Sequence, residues 1–418
     1  MVSSPSLAIL LLGSGKYLWQ ILQSLSSLYP QVRSIQLSYQ SRHPSVSPDS
    51  FCQITLGHEL EEITRFLDVG IFKPVAVYNR SDTYIQLHGQ IVDHFHLPGP
   101  SEKSVNFFRQ KNEMHKLMVE NKLHDYRPTT SIRLFSQIDE NFLGKLSYPV
   151  VVKPMIGAKS RGVFFLQNPQ DFFQIKHLLV RHFERERSIA IANINDLVLF
   201  EEFVIGKQVS VTAYVDNRGK FHPISSVDII TAHDLGLSHM QLIYRTTPSR
   251  YPEYIQQKMG FVLQKLISLS GLRSTFIHPE FIVTKNRVVL IELNCRIAGF
   301  RYEMTKYAFH LDINKMAIQL AMGDEVDDQP VQINSCTACE IWEEHSGVVD
   351  TFSMPRSKYI IDSSKYLKHR DEYQCPPDGN IPFGRFFVVS KNNDSLKVAK
   401  KLRKQVRVRV DENLKSKR

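Results

Sequence analysis

Two carboxylates and one amide interrupt a pair of otherwise apolar segments past the middle of the chain. Residues 277–283 and 288–296 each predict a β-strand, and the short turn between them makes the two strands antiparallel neighbours. Glu280, Glu292 and Asn294 stand inside these strands. Burying such groups without compensation costs several kcal/mol each, so we expect a ligand to meet them.

The spacing places these three groups on one side of the predicted sheet. Glu292 and Asn294 are two residues apart and therefore face the same side, where Glu280 on the neighbouring strand can join them. Three oxygen ligands suit Mg²⁺, which prefers one or two carboxylates together with phosphate oxygens. Arg296 continues the same face, and its guanidinium could grip a phosphate or a carboxylate.

A lysine ends a buried strand at residues 148–154 and precedes a glycine-rich loop. Lys153 needs an anionic partner to offset its desolvation. The loop at residues 157–162 contains two glycines, a hydroxyl and two cations. Such a loop can fold its backbone N–H groups over phosphate oxygens, and a plain hairpin between two strands is the alternative.

Two adjacent acids, Glu201 and Glu202, stand in the apolar segment 197–204, which a glycine turn at Gly206 closes. A strand of this kind could supply backbone hydrogen bonds to the edge of an adenine ring. Two solvated glutamates on an edge strand are the alternative.

Two other short patterns resemble known binding motifs but do not meet their requirements. The turn at residues 13–16 has Leu10 where a P-loop needs a glycine and Leu18 where a dinucleotide-binding turn needs one, so we interpret it as a plain strand-to-helix turn. Cys336 and Cys339 have the spacing of a zinc half-site. Because no second Cys or His pair follows at the required distance, we expect an ordinary strand there.

Three basic side chains outside these segments have open roles. Arg245 and Arg250 lie between the adenine segment and the metal strands, and they could bind a substrate carboxylate. A solvated face is the alternative for both. His115 stands one turn after Lys111 on a polar helix predicted for residues 104–121, and we expect it at the surface.

The composition is that of a globular protein with more than one domain. The 418 residues are 42% hydrophobic and 22% charged, and the length favours two or three domains. No segment approaches the roughly 18 uncharged apolar residues that cross a bilayer, and residues 7–12 fit a buried strand better than a signal peptide. Five scattered cysteines argue against a disulfide framework and for a reducing, cytoplasmic location.

The formal charge of +10 is concentrated in one tail. Residues 395–418 hold ten Lys or Arg against two acids, a net charge of +8. We interpret residues 397–409 as one amphipathic helix that runs into a final strand, with a solvated end after it. Because the excess charge is local, no specific binding to nucleic acid is expected.

The order of elements predicts three regions. Residues 1–100 alternate strands and helices, which indicates an open α/β sheet. The prolines and glycine of residues 97–100 end that region, because they continue neither a helix nor a strand. A third region begins near Val331, where strand-like pieces with turns lead into the basic helix.

The order and spacing of these motifs resemble the ATP-grasp superfamily over roughly residues 100–325. The resemblance is carried by Lys153 before the glycine-rich loop, Glu201-Glu202-Phe203-Val204 before a glycine turn, His278-x-Glu280, and Glu292-x-Asn294-x-Arg296 followed by Gly299. Within the superfamily the chain is most similar to the carboxylate–amine ligases, which include L-amino acid ligases and relatives of the biotin carboxylase and carbamoyl phosphate synthetase subunits.

The resemblance implies an α/β (α+β) protein with the ATP-grasp fold. Residues 1–100 would be an N-terminal Rossmann-like open α/β domain. Residues 101–330 would form a two-lobed central ATP-binding domain, with its small lobe at about residues 130–205. Residues 331–418 would be a small mixed α/β lid that ends in the basic tail.

The resemblance also implies a role for each matching residue. The phosphates of ATP would meet Lys111, Lys153 and the loop residues Gly157, Ser160 and Gly162. Adenine would be held by Glu201, Glu202 and the backbone of Phe203 and Val204. Two Mg²⁺ or Mn²⁺ ions would be bound by Glu280, Glu292 and Asn294. Catalysis would use Lys153 and Arg296, and substrate would contact Arg245, Arg296 and Gly299.

One position departs from the pattern of the superfamily. Relatives commonly carry a glutamate two residues after the turn glycine, where it accepts hydrogen bonds from the ribose hydroxyls. Gln208 stands there in this chain. An amide oxygen can still accept a hydrogen bond, so the residue remains a candidate for the nucleotide site.

The activity implied is ATP- and Mg²⁺-dependent ligation. A small-molecule carboxylate would be activated as an acyl phosphate and joined to an amine, such as that of an amino acid, with release of ADP and phosphate. Two alternatives stay open at this point: an enzyme that adds amino acids to a protein or peptide, and a non-catalytic nucleotide-binding regulatory module. We expect no membrane span, and a homodimer is compatible with the resemblance.

Overall fold

The computed structural model describes residues 4–412 except 14–16, 41–47, 156–161, 189–195, 238, 240, 328, 377–378 and 380. None of the helices within these ranges is long and apolar enough to cross a membrane. All five cysteines lie in these ranges and are free thiols. The expected strand at Cys336 and Cys339 is confirmed, because both thiols are fully buried in one.

The N-terminal region is an open parallel α/β sheet, as predicted. Its elements are β1 Ser6–Leu12, α1 Leu18–Leu28, β2 Arg33–Ser38, β3 Ser50–Gln53, α2 Glu59–Gly70, β4 Phe72–Asn79 and α3 Ile85–Phe95. The strands lie in the order β3-β2-β1-β4, and each pair is parallel. Apolar side chains fill both faces of β1, as covered parallel strands require: Leu10 contributes to one cluster, and Ile9 and Leu11 contribute to another.

Two helices link this sheet to the rest of the molecule. They are α4 Glu102–Arg109 and α5 Lys111–Glu120. The single helix predicted for residues 104–121 is therefore wrong. Gln110 breaks it with an extended backbone (φ −95°, ψ 102°). The break makes Lys111 the first residue of α5, where its side chain is buried.

A small antiparallel sheet follows. Its elements are β5 Thr130–Leu134, α6 Glu140–Gly144, β6 Val150–Pro154, β7 Phe164–Leu166, α7 Asp171–Ser188 and β8 Leu197–Glu202. The strands lie in the order β5-β8-β6-β7. Aromatic side chains from the strands and α7 form a separate core beneath the sheet, including Phe164, Phe172, Phe183 and Phe200. The small lobe at about residues 130–205 stays a prediction, and the strands of this sheet fall within that range.

A larger antiparallel sheet begins at residue 207. Its first elements are β9 Lys207–Val215, β10 Phe221–Thr231, β11 Leu242–Thr247, α8 Glu253–Ser270, β12 Thr275–Val283, β13 Val288–Asn294, α9 Arg301–Phe309 and α10 Ile313–Met322. Side chains of α4, α5 and α8 pack on one face, and those of α9 and α10 pack on the other. The prediction that residues 277–296 hold adjacent antiparallel strands is confirmed.

The third region contributes to the same sheet. Its elements are β14 Ser335–Ile341, β15 Gly347–Ser353, β16 Ile360–Lys365, β17 Glu372–Tyr373, β18 Gly384–Ser390, α11 Ser395–Arg403 and β19 Arg407–Asp411. The large sheet runs β13-β12-β9-β10-β11-β14-β18-β16, and a further sheet runs β17-β15-β19. The basic helix that leads into a final strand is confirmed as α11 and β19. The domain boundaries near residues 100 and 330 stay predictions.

Candidate active site

Two glutamates face each other on neighbouring strands of the large sheet. Glu280 on β12 lies directly opposite Glu292 on β13. The side-chain amide of Gln208 on β9 donates to Glu280 Oε2 at 2.7 Å. Burial and the adjacent Glu292 raise the pKa of Glu280 to about 7, although Arg301 and Arg245 oppose the shift. Glu292 therefore makes the ionised form of Glu280 costly, and a cation between the two carboxylates would relieve that cost.

A lysine already compensates one of these carboxylates. Lys111 Nζ lies 3.4 Å from Glu292 Oε1, and its side chain is only 9% exposed. The helix break at Gln110 positions this lysine at the start of α5, over the end of the large sheet. Among the residues that the structure describes, no group of three or more His, Cys, Asp or Glu side chains is arranged to hold a metal ion. The metal ligands predicted from the sequence are not a group of that type, because Glu280, Glu292 and Asn294 combine two carboxylates with an amide.

The amide of that set lies beside a buried histidine. Asn294 pairs with His278 across β12 and β13, two pairs along from Glu280 and Glu292, so it lies on the same face. His278 Nε2 is 3.6 Å from Glu280 Oε1. Burial and Arg301 hold the pKa of His278 well below its usual value, so the imidazole is neutral. Neither of its ring nitrogens has a hydrogen-bond partner in the described residues.

A second ion pair links the small lobe to α5. Lys153 Nζ lies 2.7 Å from Glu201 Oε2, and His115 Nε2 lies 3.3 Å from Glu201 Oε1. Burial alone would raise the pKa of Glu201. Lys153 and His115 have the larger, opposite effect and lower it to about 2. The surface position expected for His115 is wrong, because its side chain is 3% exposed. Burial lowers the pKa of His115.

The two adjacent acids of β8 point in different directions. Glu202 pairs with Arg287 at 3.1 Å and accepts a hydrogen bond from the Thr129 backbone N–H at 3.1 Å. The alternative of two solvated edge glutamates is wrong for Glu201, since β8 lies between β5 and β6. The backbone N–H of Phe203 donates to the Pro149 carbonyl at 3.2 Å, so it is not available to an adenine.

The glycine-rich loop is described only at its last residue. Gly157 and Ser160 lie outside the described residues. Gly162 has φ +69°, and a Cβ added there would lie 2.9 Å from Pro154 Cγ and 3.3 Å from His182 Cγ. Both the backbone conformation and the crowding therefore require glycine at this position.

Arg296 is held by a residue that the motifs did not indicate. Its Nε donates to Asp82 Oδ1 at 2.5 Å and its Nη2 donates to Asp82 Oδ2. Burial lowers the pKa of Arg296, but Asp82 raises it by more. Arg80 provides a second contact between the same two segments, because its Nη2 donates to the Ala298 carbonyl at 3.4 Å. The turn after β4 in the N-terminal region thus fixes the segment that follows β13.

Arg245 is not part of a solvated face. Its Nη1 lies 3.0 Å from Glu340 Oε2, and its side chain is 12% exposed. The ring of Phe300 stacks on its guanidinium at 4.9 Å. Gly299 borders open space, because a Cβ added there would meet no atom within 4 Å. Arg250, in contrast, is exposed and donates to the Asn393 carbonyl.

We predict that replacing Glu201 weakens the acid sensitivity of the fold. The folded-state pKa of about 2 lies below the ordinary value of 4.5. The ionised pair therefore stabilises the fold above pH 4.5, and this contribution falls by about 2 kcal/mol between pH 5 and pH 3. Urea unfolding at those two pH values should show a smaller loss for Glu201→Gln than for the parent. The exposed Glu61→Gln variant is the control, and equal losses in all three proteins would contradict the prediction.

A protein-family model matches the part of the chain that holds most of these residues. Residues 146–303 match the model of the ATP-grasp domain, so the match contains both Lys153 and the facing glutamates. An uncharacterised protein of Sinorhizobium fredii is 22% identical over 288 residues, which are 67% of this chain and 55% of that protein. The phosphoribosylamine–glycine ligase of Caldanaerobacter subterraneus is 28% identical over 168 residues, which are 37% and 38% of the two chains. The match thus spans about half or less of these curated relatives.

The whole chain superimposes on a solved structure. The L-amino acid ligase from Bacillus licheniformis aligns with a TM-score of 0.78 over 98% of this chain and 100% of that one, at 13% sequence identity. The structural alignment identifies the fold. At this low sequence identity it does not identify the activity, which must be inferred from other observations. The chain therefore has the ATP-grasp fold, and its residues 146–303 match the model of the ATP-grasp domain.

Proposed function

We propose that the protein is an ATP- and Mg²⁺-dependent ligase that activates a carboxylate as an acyl phosphate and joins it to an amine. The observation that carries the proposal is the pair of facing glutamates, Glu280 and Glu292, with Lys111 beside them in an ATP-grasp fold. Two partly buried like charges and a buried lysine are expensive in a merely structural role. They suit a site that receives a metal-bound polyphosphate.

The donor set fits Mg²⁺ or Mn²⁺. Glu280, Glu292 and Asn294 would hold the metal, and we propose two ions by analogy with the superfamily. Two facing carboxylates and an amide are hard oxygen donors, and the raised pKa of Glu280 marks a deficit of positive charge. When bound, the metal would neutralise phosphoryl oxygens and so favour attack by an anion.

The nucleotide would occupy the space between the small sheet and the large sheet. Lys111 and Lys153 are the cations for its phosphates, and each is now paired with a carboxylate that a ligand could replace. Adenine would lie along the segment after β8, where the backbone of Val204 is the candidate contact. Gln208 has its amide hydrogen on Glu280, and its amide oxygen is the group that could accept from the ribose.

The acid would be oriented by Arg296, which Asp82 holds in place. A carboxylate oxygen attacks the γ-phosphorus, the bond to the β-phosphate oxygen breaks, and ADP leaves. The amine then attacks the acyl carbon, phosphate leaves with the former carboxylate oxygen, and the amine loses a proton. The chain's contribution is to bring two anions together, because the cationic side chains offset their repulsion.

Small molecules are the proposed substrates. The similar proteins include a phosphoribosylamine–glycine ligase and an L-amino acid ligase, which supports an amine-bearing small molecule. The free cysteines support the cytoplasmic location that the sequence suggests. The homodimer stays a prediction.

We predict that acid-stimulated phosphate release requires Glu292. The parent protein, given ATP, Mg²⁺ and hydroxylamine, should release phosphate and form a hydroxamate with at least one acid from a panel of amino acids and simple carboxylic acids. Glu292→Gln should lower that rate at least about 100-fold, because it removes half of the metal's anionic ligands. The exposed Glu325→Gln is the matched control. If no acid stimulates release, or if Glu292→Gln retains the parental rate, the ligase proposal fails.

We also predict that Asp82 acts through Arg296. Asp82→Asn should raise the KM for the acid or lower kcat by about tenfold, since a free arginine samples other orientations. The KM for ATP should stay within about twofold of the parental value. Asp82→Glu should recover part of the activity, and the exposed Asp68→Asn should match the parent. Equal losses for ATP and for the acid would indicate a structural role instead.

A further inference from the structure

Three arginines form a row along one face of the large sheet, beyond the site described above. We call Arg301, Arg245 and Arg385 the arginine row. Their relative exposures are small: Arg385 is 0% exposed and Arg301 is 2% exposed. The sequence makes Arg245 a candidate for contact with substrate, and neither Arg301 nor Arg385 has a role in nucleotide binding, in metal binding or in the activation of the acid.

The strand register places the row on the face that carries the carboxylate pair. Glu280 on β12 pairs with Ser210 on β9, and following the paired residues across β10 leads to the side of the sheet on which Arg245 of β11 lies. The same steps from Arg245 lead to Glu340 on β14, which lies directly opposite Arg385 on β18. Directly paired residues point to the same side, so all of these side chains share one face. Arg245 stands three strands from Glu280, roughly 14 Å along the sheet.

Two members of the row, Arg301 and Arg385, have guanidinium nitrogens without a hydrogen-bond partner in the described residues. Arg301 donates to the hydroxyl of Ser210 at 2.5 Å and to the sulfur of Met304, and neither group is an anion. Burial and Arg245 lower the pKa of Arg301 to about 9, and Glu280 opposes the shift. Its Nε has no hydrogen-bond partner in the described residues.

Arg385 is still less satisfied. All three of its guanidinium nitrogens lack a hydrogen-bond partner in the described part of the chain. The nearest carboxylate is that of Glu303, 3.9 Å away, which also accepts from Tyr17. A buried guanidinium without hydrogen bonds is costly, and its planar fork matches a carboxylate.

An aromatic ring covers the row. Phe300 stacks on Arg385 at 4.0 Å and on Arg245 at 4.9 Å. Its backbone has φ +66°, an uncommon conformation for a bulky residue, and such strain is typical of functional sites. The neighbouring Gly299 borders open space into which a ligand could extend.

We propose that the arginine row binds a carboxylate that the ligation does not consume, so that one of the two substrates carries a second acidic group. The proposal rests on the proposed function for its context, because it assumes that the reacting carboxylate is held at Arg296. The phosphates of ATP are poor candidates for this row, since Lys111 and Lys153 already serve them. The acid and the amine are both sources of such a carboxylate.

Binding of matched compound pairs tests the proposal without ATP or metal, so its failure is separate from failure of the ligase activity. Titration calorimetry on the full chain would compare aspartate with asparagine, glutamate with glutamine, and glutarate with glutaramate. A further pair, glycine and glycinamide, probes the amine. We expect at least tenfold tighter binding of the extra carboxylate in one or more pairs. A difference in the first three pairs assigns the group to the acid, and one in the last pair assigns it to the amine.

Variants complete the test. Arg301→Gln and Arg385→Gln should reduce the preference within a pair to less than about threefold, while the exposed Arg218→Gln should keep it. Arg301→Lys and Arg385→Lys retain a charge in the same place and should keep part of the preference, which provides for the case in which a Gln variant does not fold. The proposal is overturned if the parent binds both members of every pair equally, or if a folded Arg301→Gln protein keeps the full preference.

Discussion

Repulsion between two partly buried carboxylates is the constraint on which the rest of the site depends. Glu280 and Glu292 face each other across β12 and β13, and burial together with this proximity raises the pKa of Glu280 to about 7. The surrounding elements each lower the cost. The start of α5 supplies Lys111, and β9 supplies the amide of Gln208. A metal-bound nucleotide would remove the remaining deficit of positive charge.

The same principle recurs at each end of the site. In the small lobe, Glu201 is ionised because Lys153 and His115 surround it. On the other side, Asp82 of the N-terminal region holds Arg296. Side chains of the small lobe and of the N-terminal region thus contact those of α5 and of the segment after β13. Helices α4 and α5 link the N-terminal region to the large sheet, and their side chains pack with those of α8 on one face of that sheet.

Local pattern was enough to predict much of this arrangement. The two strands around residue 285 and the side on which Glu292 points follow from alternation and from the cost of burying acids. The need of Lys153 for an anion follows from the same cost. The identity of that anion did not follow, because Glu201 is brought to it by pairing between β6 and β8.

Long-range partners were the part that sequence reasoning missed. Asp82 and Arg296 are 214 residues apart, and nothing in either segment alone indicates the other. The break at Gln110 was missed because the residues on both sides favour a helix, and tertiary contacts of Lys111 override that preference. His115 appeared to be a surface residue for the same reason. A structure with Mg²⁺ and a non-hydrolysable ATP analogue tests the central claim most directly. We expect metal between Glu280 and Glu292, with Lys111 moved from Glu292 to a phosphate; a nucleotide bound elsewhere, with Lys111 still on Glu292, would contradict it.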